Sequence, residues 1–407
     1  MSVLNIAVVG LGSKNTSRAR DYLATINKLT HMYKIVSLCD QNQDVLNEIG
    51  AKYAVKYLYQ DVEKMLDDIK PDVLFILVPT DGQLPLAMVA SQKGCNIITE
   101  IPYSVTLAYG DAIAKSCEEN NVKWEIAENA WLWPHEILKQ KMIEEDVIGG
   151  INNARLWYTS GSYHGLSAIR ESINSIPKRV LGYAKEIPVE TILEMDSMEF
   201  DGDNHRWWET ALIEFQNGVF ASYEMSFQPG ARPNHWEIEG TKGYVYGNGI
   251  NTDKLVLYEG SKQIEMPFVD SFKKISGEDV LFKSETESLP KHTWFNPFFE
   301  FGISYPDDIA KGYILSSMYS SLVSGEPIKY GASKARMDLG LCFNLRHSQN
   351  IGNAWTDYPL PKISDLEKNI NDLYVRKYGA DPINDPFALL GSTFDRSSVI
   401  WIAAGWM

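Results

Sequence analysis

The stretch VLNIAVVGLG, residues 3–12, decides the fold of the first part of this chain. Most of these residues are apolar, which is typical of a buried strand, and a helix-like segment follows at 16–29. Gly10 and Gly12 allow a tight turn and a close backbone approach to a phosphate at the helix N-terminus. Asn15 takes the place of the third glycine of this pattern. Glycine turns also end strands for purely structural reasons, so the turn predicts phosphate binding only together with its surroundings.

Asp40 stands directly after a second apolar, strand-like run at 33–39. An acid at this place in a strand-helix pattern accepts hydrogen bonds from the ribose hydroxyls of an adenosine. Residues 41–43 are Gln, Asn and Gln, so no cation is offered nearby to a 2′-phosphate. The placement therefore favours NAD as the cofactor. The alternative is that Asp40 simply caps the helix that follows it.

Strand-like and helix-like segments alternate through the first third of the chain. The pattern is helical at 61–69 and 84–93 and extended at 72–78 and 96–99. It predicts an α/β fold, with a Rossmann-type doubly wound parallel sheet over residues 1–127. Beyond that point, a helix-like segment is followed by alternating strands, which predicts an α+β domain with a large open, mostly antiparallel sheet over residues 128–360. Residues 361–407 form a C-terminal extension, for which a dimer arm and a lid over the site both stay open.

Several short segments, taken in their order and spacing, resemble one enzyme family. They are Gly10-Leu11-Gly12, Val78-Pro79-Thr80, Glu100-Ile101-Pro102, Ala127-Glu128-Asn129 and the stretches 141–150, 210–226 and 236–246. Together they resemble the glucose-fructose oxidoreductase, inositol dehydrogenase and rhizopine catabolism family of NAD(P)-dependent sugar oxidoreductases. The resemblance covers most of residues 4–360 and implies oxidation of a sugar or cyclitol hydroxyl. The cofactor-binding residues are then expected to be Gly10, Gly12, Asn15, Asp40, Pro79, Thr80, Glu100, Pro102 and Asn129.

Position 101 departs from the family's pattern. The usual family tripeptide is Glu-Lys-Pro, whose lysine lies beside the substrate hydroxyl and the nicotinamide, whereas Ile101 cannot take part in proton transfer. The family's second signature, an Asp and a His on the first helix of the substrate domain, has its best counterpart at 161–166, with altered spacing. One branch, the NAD-dependent glycosidases typified by α-N-acetylgalactosaminidase, keeps Glu-Val-Pro and a Gly-x-Tyr-x-His-like segment, and this chain is similar to it. Those enzymes oxidise a sugar, eliminate the aglycone, add water and reduce again.

Two adjacent residues are the candidates for the proton transfer that accompanies oxidation of a hydroxyl. His164 is the predicted base, because an imidazole with an ordinary pKa of about 6.5 exchanges protons near neutrality, and Tyr163 is predicted to act as an acid or to orient the hydroxyl. The alternative for His164 is a structural role. Trp131 is predicted to stack on the substrate, and His205 and Arg206 to bind its hydroxyl or carboxylate. The alternatives are core packing for the tryptophan and surface solvation for the pair.

The composition argues against several other classes of function. The chain has 407 residues and a net charge of -15, which argues against binding to nucleic acid or to an anionic membrane surface. Its four Cys and seven His show no metal-ligand spacing, so we expect no metal and reduced thiols. Neither a signal-like segment nor a long apolar run is evident, so the protein is expected to be cytoplasmic. The resemblance implies a small carbohydrate or polyol substrate and a homodimer or homotetramer formed through the open sheet.

Three functions stay open at this point. An NAD-dependent sugar or cyclitol dehydrogenase predicts net NADH formation with a polyol. A redox-neutral NAD-dependent glycosidase predicts aglycone release without net NADH. A nonredox binding protein that retains the fold predicts neither.

Overall fold

The computed structural model of the protein describes residues 2–12, 17–158, 162–195, 198–226, 234–394 and 398–399. Within those ranges, the side chains of residues 158, 189–195, 198–207 and 226 are not described. Two sheets organise the chain, one of six strands and one of eleven.

The six-stranded sheet is built from the first third of the chain. Its strands are β1 Leu4–Val9, β2 Tyr33–Cys39, β3 Tyr57–Tyr59, β4 Val73–Ile76, β5 Asn96–Thr99 and β6 Trp124–Ile126. The connecting helices are α1 Arg18–Lys28, α2 Gln43–Lys52, α3 Val62–Ile69, α4 Thr80–Gln92 and α5 Leu107–Glu119. All strands are parallel, in the order β3-β2-β1-β4-β5-β6. The predicted doubly wound parallel sheet is confirmed.

Polar groups in this sheet appear where its strands end. Ile6, Ala7 and Val8 of β1 are all fully buried, as expected when helices cover both faces of a parallel sheet. Gly10 directly follows β1, Asp40 follows β2 and Glu100 follows β5. Because the carboxyl ends of parallel strands share one edge of the sheet, these residues lie along a single edge. The order of the strands reverses between β1 and β4, which is where such sheets bind ligands.

Helix α4 begins four residues earlier than the pattern at 84–93 predicts, and it contains Pro85. Proline has no N–H, so the carbonyl of Asp81 receives no helical hydrogen bond. The hydroxyl of Tyr374, near the end of the chain, donates to that carbonyl at 2.7 Å. A proline inside this helix is therefore accommodated because a distant side chain satisfies the freed acceptor.

The eleven-stranded sheet follows in sequence. Its strands are β7 Ile151–Tyr158, β8 Pro177–Met195, β9 Met198–Phe215, β10 Phe220–Ser226, β11 His235–Gly240, β12 Gly243–Gly247, β13 Lys254–Glu259, β14 Lys262–Ile275, β15 Glu278–Thr286, β16 Thr293–Phe295 and β17 Thr356–Asp357. Their order is β16-β15-β14-β13-β12-β11-β7-β10-β9-β8-β17. Among the described pairings, β7 with β10 is parallel and the others are antiparallel. The predicted large, mostly antiparallel sheet is also confirmed.

Four further helices of the described chain contact strands of the two sheets. They are α6 Pro134–Glu144, α7 Ser162–Ile173, α8 Pro306–Ser324 and α9 Ala332–Asn350. Helix α8 returns to the first sheet, where the hydroxyl of Tyr33 donates to the carbonyl of Leu315 at 2.7 Å. Helix α9 crosses β8 closely at Gly182, where a Cβ would lie 2.6 Å from the carbonyl oxygen of Leu345. None of the helices in the described part of the chain is long and apolar enough to cross a membrane.

The C-terminal extension packs on the first domain. Its helix α10, Asp365–Tyr378, begins with a capping box formed by Ser364 and Glu367. A second oxygen of Glu367 accepts a hydrogen bond at 3.0 Å from the N–H of Leu107, the first residue of α5. The same carboxylate thus caps its own helix and supports the start of another. The sequence left two roles open for the extension, a dimer arm and a lid over the site. The described part of the extension packs beside the first sheet.

Candidate active site

A cavity of about 500 Å³ lies along the edge where β1, β2, β4 and β5 end, and we call it the groove. Residues that line it include Gly10, Gly12, Arg18, Asp40, Gln41, Pro79, Thr80, Glu100, Ile101, Leu390, Ser392 and Phe394. Of the predicted cofactor residues, Pro102 and Asn129 do not line it. Asn15 lies outside the described residues. The groove therefore brings together most of the predicted cofactor residues and adds three from the C-terminal extension.

The glycine turn fits a bound pyrophosphate. Gly10 has a φ of +81° and Gly12 a φ of +68°, a left-handed region that favours glycine. A Cβ on Gly10 would lie 2.9 Å from the carbonyl carbon and oxygen of Leu77, so this turn has room only for glycine. Ser17 precedes α1 and makes no capping hydrogen bond, so the first N–H groups of α1 face the groove without a side-chain cap. Free N–H groups at a helix N-terminus are a ready site for phosphate oxygens.

Asp40 joins the glycine turn to the end of β2. One of its carboxylate oxygens accepts a hydrogen bond from the N–H of Leu11 at 2.7 Å, and the other accepts from the N–H of Asn42 at 2.9 Å. The cap of α2 is Asn42, whose side chain accepts from the N–H groups of Asp44 and Val45. The helix-cap alternative for Asp40 is therefore not what the structure shows. Each carboxylate oxygen retains acceptor capacity for a ribose hydroxyl.

Glu100 and Ile101 lie at the other end of the groove. One oxygen of Glu100 accepts from the N–H of Ile101 at 2.8 Å, and the other accepts from Nε of Arg18 at 3.1 Å. Ile101 lines the groove with an aliphatic side chain, whereas Pro102 is buried behind it. A guanidinium from α1 therefore reaches the region in which the resemblance places a lysine. Among the described residues that line the groove, Arg18 is the sole cation.

Arg18 belongs to a network of buried and half-buried charges. Its guanidinium lies 2.7 Å from a carboxylate oxygen of Asp307, which also receives the ammonium of Lys311 at 2.9 Å. Asn129 donates to the other Asp307 oxygen at 2.9 Å. Burial acts to raise the pKa of Asp307, but Arg18 and Lys311 outweigh it and hold that pKa well below its usual range. Asn129 thus positions this network, at one remove from the groove.

His164 is paired with a carboxylate that the sequence analysis did not single out. Its Nδ1 lies 2.9 Å from Oε2 of Glu128. The side chain of His164 is 22% exposed, whereas that of Glu128 is fully buried. Burial lowers the pKa of His164, but the charge of Glu128 and its hydrogen bond outweigh burial and raise the pKa above its ordinary value. A carboxylate on Nδ1 favours the tautomer that carries its proton there and presents Nε2 as the acceptor.

The charges of Arg18 and Glu100 also influence the pKa of His164. Arg18 acts to lower the pKa of His164 and Glu100 acts to raise it. Both charges therefore lie close enough to influence proton transfer at the histidine. His164, on α7, and Glu128, just after β6, do not themselves line the groove. Asn129, which follows Glu128, accepts a hydrogen bond at 3.5 Å from Nη2 of Arg18, which does line it.

Tyr163 points away from the groove. Its buried hydroxyl lies 3.0 Å from the hydroxyl of Tyr330 and 3.4 Å from the carbonyl of Ala335, to which it donates. Tyr330 donates in turn to Asp338, which forms an ion pair with Arg170 of α7. Burial raises the pKa of Tyr163 well above its ordinary value. This geometry favours a role in anchoring α7 over the direct acid role that the sequence suggests.

The structure describes the side chain of one of the three predicted substrate residues, Trp131. Trp131 lies in the short 3-10 helix Ala130–Leu132 and is buried beside Tyr330, with ring centroids 6.4 Å apart. This placement matches the core-packing alternative, and Trp131 does not line the groove. His205 and Arg206 lie on β9 opposite Pro188 and Ile187. The side chains of His205 and Arg206 lie outside the described part of the structure.

Sequence reasoning missed four features of this region. They are Arg18, Glu128, Asp307 and the groove-lining residues of the C-terminal extension. Glu128 had a usable signal, because it sits inside the Ala127-Glu128-Asn129 segment that carries the family resemblance. Arg18 and Asp307 are far apart in sequence and had no comparable signal. No group of three or more His, Cys, Asp or Glu side chains within the described ranges is arranged to hold a metal ion.

The first domain of this chain matches a known protein family. Residues 4–127 match the model of an oxidoreductase family with an NAD-binding Rossmann fold. D-apiose dehydrogenase of Paraburkholderia graminis is 30% identical over 96 residues, which are 24% of this chain and 26% of that protein. D-glucoside 3-dehydrogenase of Escherichia coli is 27% identical over 105 residues, or 26% of this chain and 29% of that protein. The chain thus spans about a quarter of the length of the curated relatives it matches.

Solved structures resemble the chain over most of its length. An NAD-binding oxidoreductase from Klebsiella pneumoniae has a TM-score of 0.68 and 17% identity, covering 89% of this chain and 100% of that one. A levoglucosan dehydrogenase in complex with NADH and levoglucosan has a TM-score of 0.65 and 18% identity, with coverage of 89% and 100%. At this level of identity the likeness establishes the fold.

Proposed function

We propose that this protein transfers a hydride between a sugar or cyclitol hydroxyl and NAD, because residues 4–127 match the model of an oxidoreductase family with an NAD-binding Rossmann fold. The observation that carries the proposal is the dyad of His164 and Glu128. Asn129, which follows Glu128 in the chain, accepts a hydrogen bond at 3.5 Å from Arg18 at the end of the groove. At this end Ile101 takes the place of the lysine of the family's tripeptide. An imidazole is suited to accept the hydroxyl proton near neutrality.

The residues of this chain divide the work between binding and proton transfer. NAD supplies the hydride acceptor when it is bound. Gly10, Gly12 and Asp40 would bind its pyrophosphate and ribose, while His164 accepts the hydroxyl proton at Nε2. Glu128 holds the imidazole in the required tautomer and stabilises the imidazolium that forms. Arg18, held by Glu100 and Asp307, keeps positive charge near the oxygen that loses its proton.

One set of assays tests this proposal. Purified protein is first titrated with NAD, and a panel of sugars and cyclitols is then screened for net NADH formation. A substrate that yields NADH in the parent and not in His164→Ala supports the proposal. An absence of NAD binding would sink it and leave the nonredox alternative.

The replacement at position 101 favours one second candidate, a redox-neutral NAD-dependent glycosidase. The Glu100-Ile101-Pro102 tripeptide keeps the carboxylate and the proline and lacks the lysine, as does the glycosidase branch that the sequence resembles. Aglycone release from aryl glycosides without net NADH would favour this candidate. Net NADH with a free polyol and no aglycone release would exclude it.

We also propose a homodimer or homotetramer formed through the open face of the large sheet. Tyr183, Leu212 and Phe220 are large apolar residues on β8, β9 and β10 that are exposed in the single chain. The strand register puts all three on one face. An apolar face of this kind is typical of a subunit interface. Light scattering that gave the mass of a single chain would contradict this proposal.

The cytoplasmic location stays a prediction.

A further inference from the structure

The C-terminal extension contributes part of the groove wall. Leu390, Ser392 and Phe394 line the same cavity as Asp40 and Gln41. These three residues lie about 350 positions after Asp40 in the sequence, so the extension is folded back across the first domain. Ser392 is hydrogen-bonded to Gln41, so this wall reaches the Asp40 end of the groove.

Both ends of this part of the extension are fixed to one residue, Asp81. The hydroxyl of Tyr378 donates to a carboxylate oxygen of Asp81 at 2.6 Å, and the N–H of Val399 lies 3.2 Å from each oxygen. Tyr374 donates to the Asp81 carbonyl that Pro85 leaves without a helical partner. Asp81 is 1% exposed and directly follows Thr80, which lines the groove. The extension is therefore anchored at the start of α4 on both sides of the groove wall.

A second contact ties the wall to the ribose end of the groove. Nε2 of Gln41 donates to the carbonyl of Ser392 at 2.9 Å, and the hydroxyl of Thr393 donates to Oε1 of Gln41 at 3.2 Å. Gln41 directly follows Asp40, the predicted ribose ligand. Gln41, which is next to the residue predicted to bind the ribose, thus holds the extension in place.

Phe394 lies close against α4. A Cβ on Gly82 would come within 2.6 Å of the Phe394 ring, so the absence of a side chain at Gly82 permits this approach. The ring also packs at 5.2 Å from the ring of Tyr378. Phe394 is half-buried, and its position on the groove wall gives the cavity an apolar surface.

We infer that Leu390, Ser392 and Phe394 are part of the binding site for the adenosine half of the dinucleotide. In a doubly wound fold the acid after the second strand binds the adenosine ribose, so the Asp40 end of the groove receives this half. Leu390 and Phe394 offer apolar surface to an adenine ring, which is the kind of lining that small-molecule sites use. The inference rests on the proposed use of NAD and adds a binding surface from outside the Rossmann domain.

The experiment compares NAD with ADP-ribose, which contains the adenosine half and lacks the nicotinamide. Calorimetry measures both dissociation constants for the parent, Phe394→Ala and Phe387→Ala. Phe387 is the matched control, because it lies in the same extension, is 41% exposed and does not line the groove. We expect Phe394→Ala to weaken NAD and ADP-ribose by the same factor, roughly 10-fold, because one apolar contact in a pocket contributes on that scale. Phe387→Ala should bind both as the parent does.

Gln41→Ala provides a second variant that does not disturb the core. Gln41 is exposed, and its loss releases the wall without removing a groove-facing apolar side chain. We expect Gln41→Ala to bind both ligands more weakly than the parent. The control is Gln43→Ala, because Gln43 is also exposed but is hydrogen-bonded to Asn47 instead of the extension. Melting temperatures of all variants verify folding.

The outcomes separate the inference from the proposed function. Parent-like affinity for ADP-ribose in both Phe394→Ala and Gln41→Ala would overturn the inference and leave the use of NAD intact. A loss for NAD without a loss for ADP-ribose would overturn it as well, since the contact would then be to the nicotinamide ring. A parent that binds neither ligand would overturn both.

Discussion

The two ends of the groove hold charge in different ways. At the Asp40 end a single carboxylate is bonded to backbone N–H groups of Leu11 and Asn42, and no described cation lines the wall there. At the other end Arg18 lies between the carboxylates of Glu100 and Asp307, close to the dyad of His164 and Glu128. Backbone donors fix a geometry without titrating, whereas coupled side-chain charges tune pKa values. The difference fits the proposed division between NAD binding at one end and proton transfer at the other.

The largest expected effect is that of His164→Ala, which should lower catalysis and leave NAD binding unchanged. General-base catalysis contributes about 10²–10⁴-fold, so His164→Ala should lower kcat by that factor. NAD affinity should stay nearly unchanged, because the groove itself is intact. Steady-state kinetics on a substrate from the panel, with calorimetry for NAD, measures both quantities. If His164→Ala kept most of its activity, the base would have to be sought elsewhere, and His205 and Lys178 would be the next residues to replace.

The partner of the imidazole should have a smaller effect and a distinctive dependence on pH. His164 accepts a proton only when it is neutral, so activity should rise with pH through the pKa of His164, which Glu128 raises above its ordinary value. Glu128→Gln removes that negative charge, so the acid limb of the pH-rate profile should move to lower pH. We expect kcat at its optimum to fall roughly 10- to 100-fold, less than for His164→Ala, because tautomer control is weakened. An unchanged acid limb would mean that His164 is not the group that titrates.

The binding end can be tested by its effect on affinity. Asp40→Ala should weaken NAD binding roughly 10- to 100-fold, since hydrogen bonds to a charged group contribute about 1.5–3 kcal/mol. It should also narrow the preference for NAD over NADP, because the carboxylate repels a 2′-phosphate. Titration of parent and variant with both nucleotides measures the preference. Equal affinity of the parent for the two nucleotides would contradict the assignment of Asp40.

The two ends also differ in how far the sequence predicts them. The glycine turn and Asp40 follow strands whose apolar runs mark their own ends, so local patterns locate these residues along one sheet edge. Arg18, Glu128, His164 and Asp307 come from four separate elements, and their contacts depend on how α7 and α8 pack on the first sheet. No local pattern encodes that packing.

Two further differences from the sequence predictions concern Tyr163 and helix α4. Tyr163 sits next to His164, but consecutive residues of a helix diverge by about 100°, so its hydroxyl joins the buried contacts with Tyr330. Helix α4 continues through Pro85 because Tyr374 satisfies the carbonyl of Asp81. A pattern read along the chain cannot include a hydrogen bond from a residue so distant in sequence.

The smallest expected effect concerns Ile101, and it decides whether the proton-transfer end is complete as it stands. If the dyad and Arg18 have taken over the work of the family's lysine, Ile101→Lys should not increase activity. The new ammonium would lie near Arg18 and act, as Arg18 does, to lower the pKa of His164. A longer aliphatic side chain without charge, Ile101→Met, is the matched control for size. The measurement is kcat on a polyol for parent and both variants, with the pH-rate profile of the lysine variant. A severalfold rise in turnover for Ile101→Lys alone would mean that this is an ordinary dehydrogenase site damaged at one position, and that the dyad does not replace the lysine.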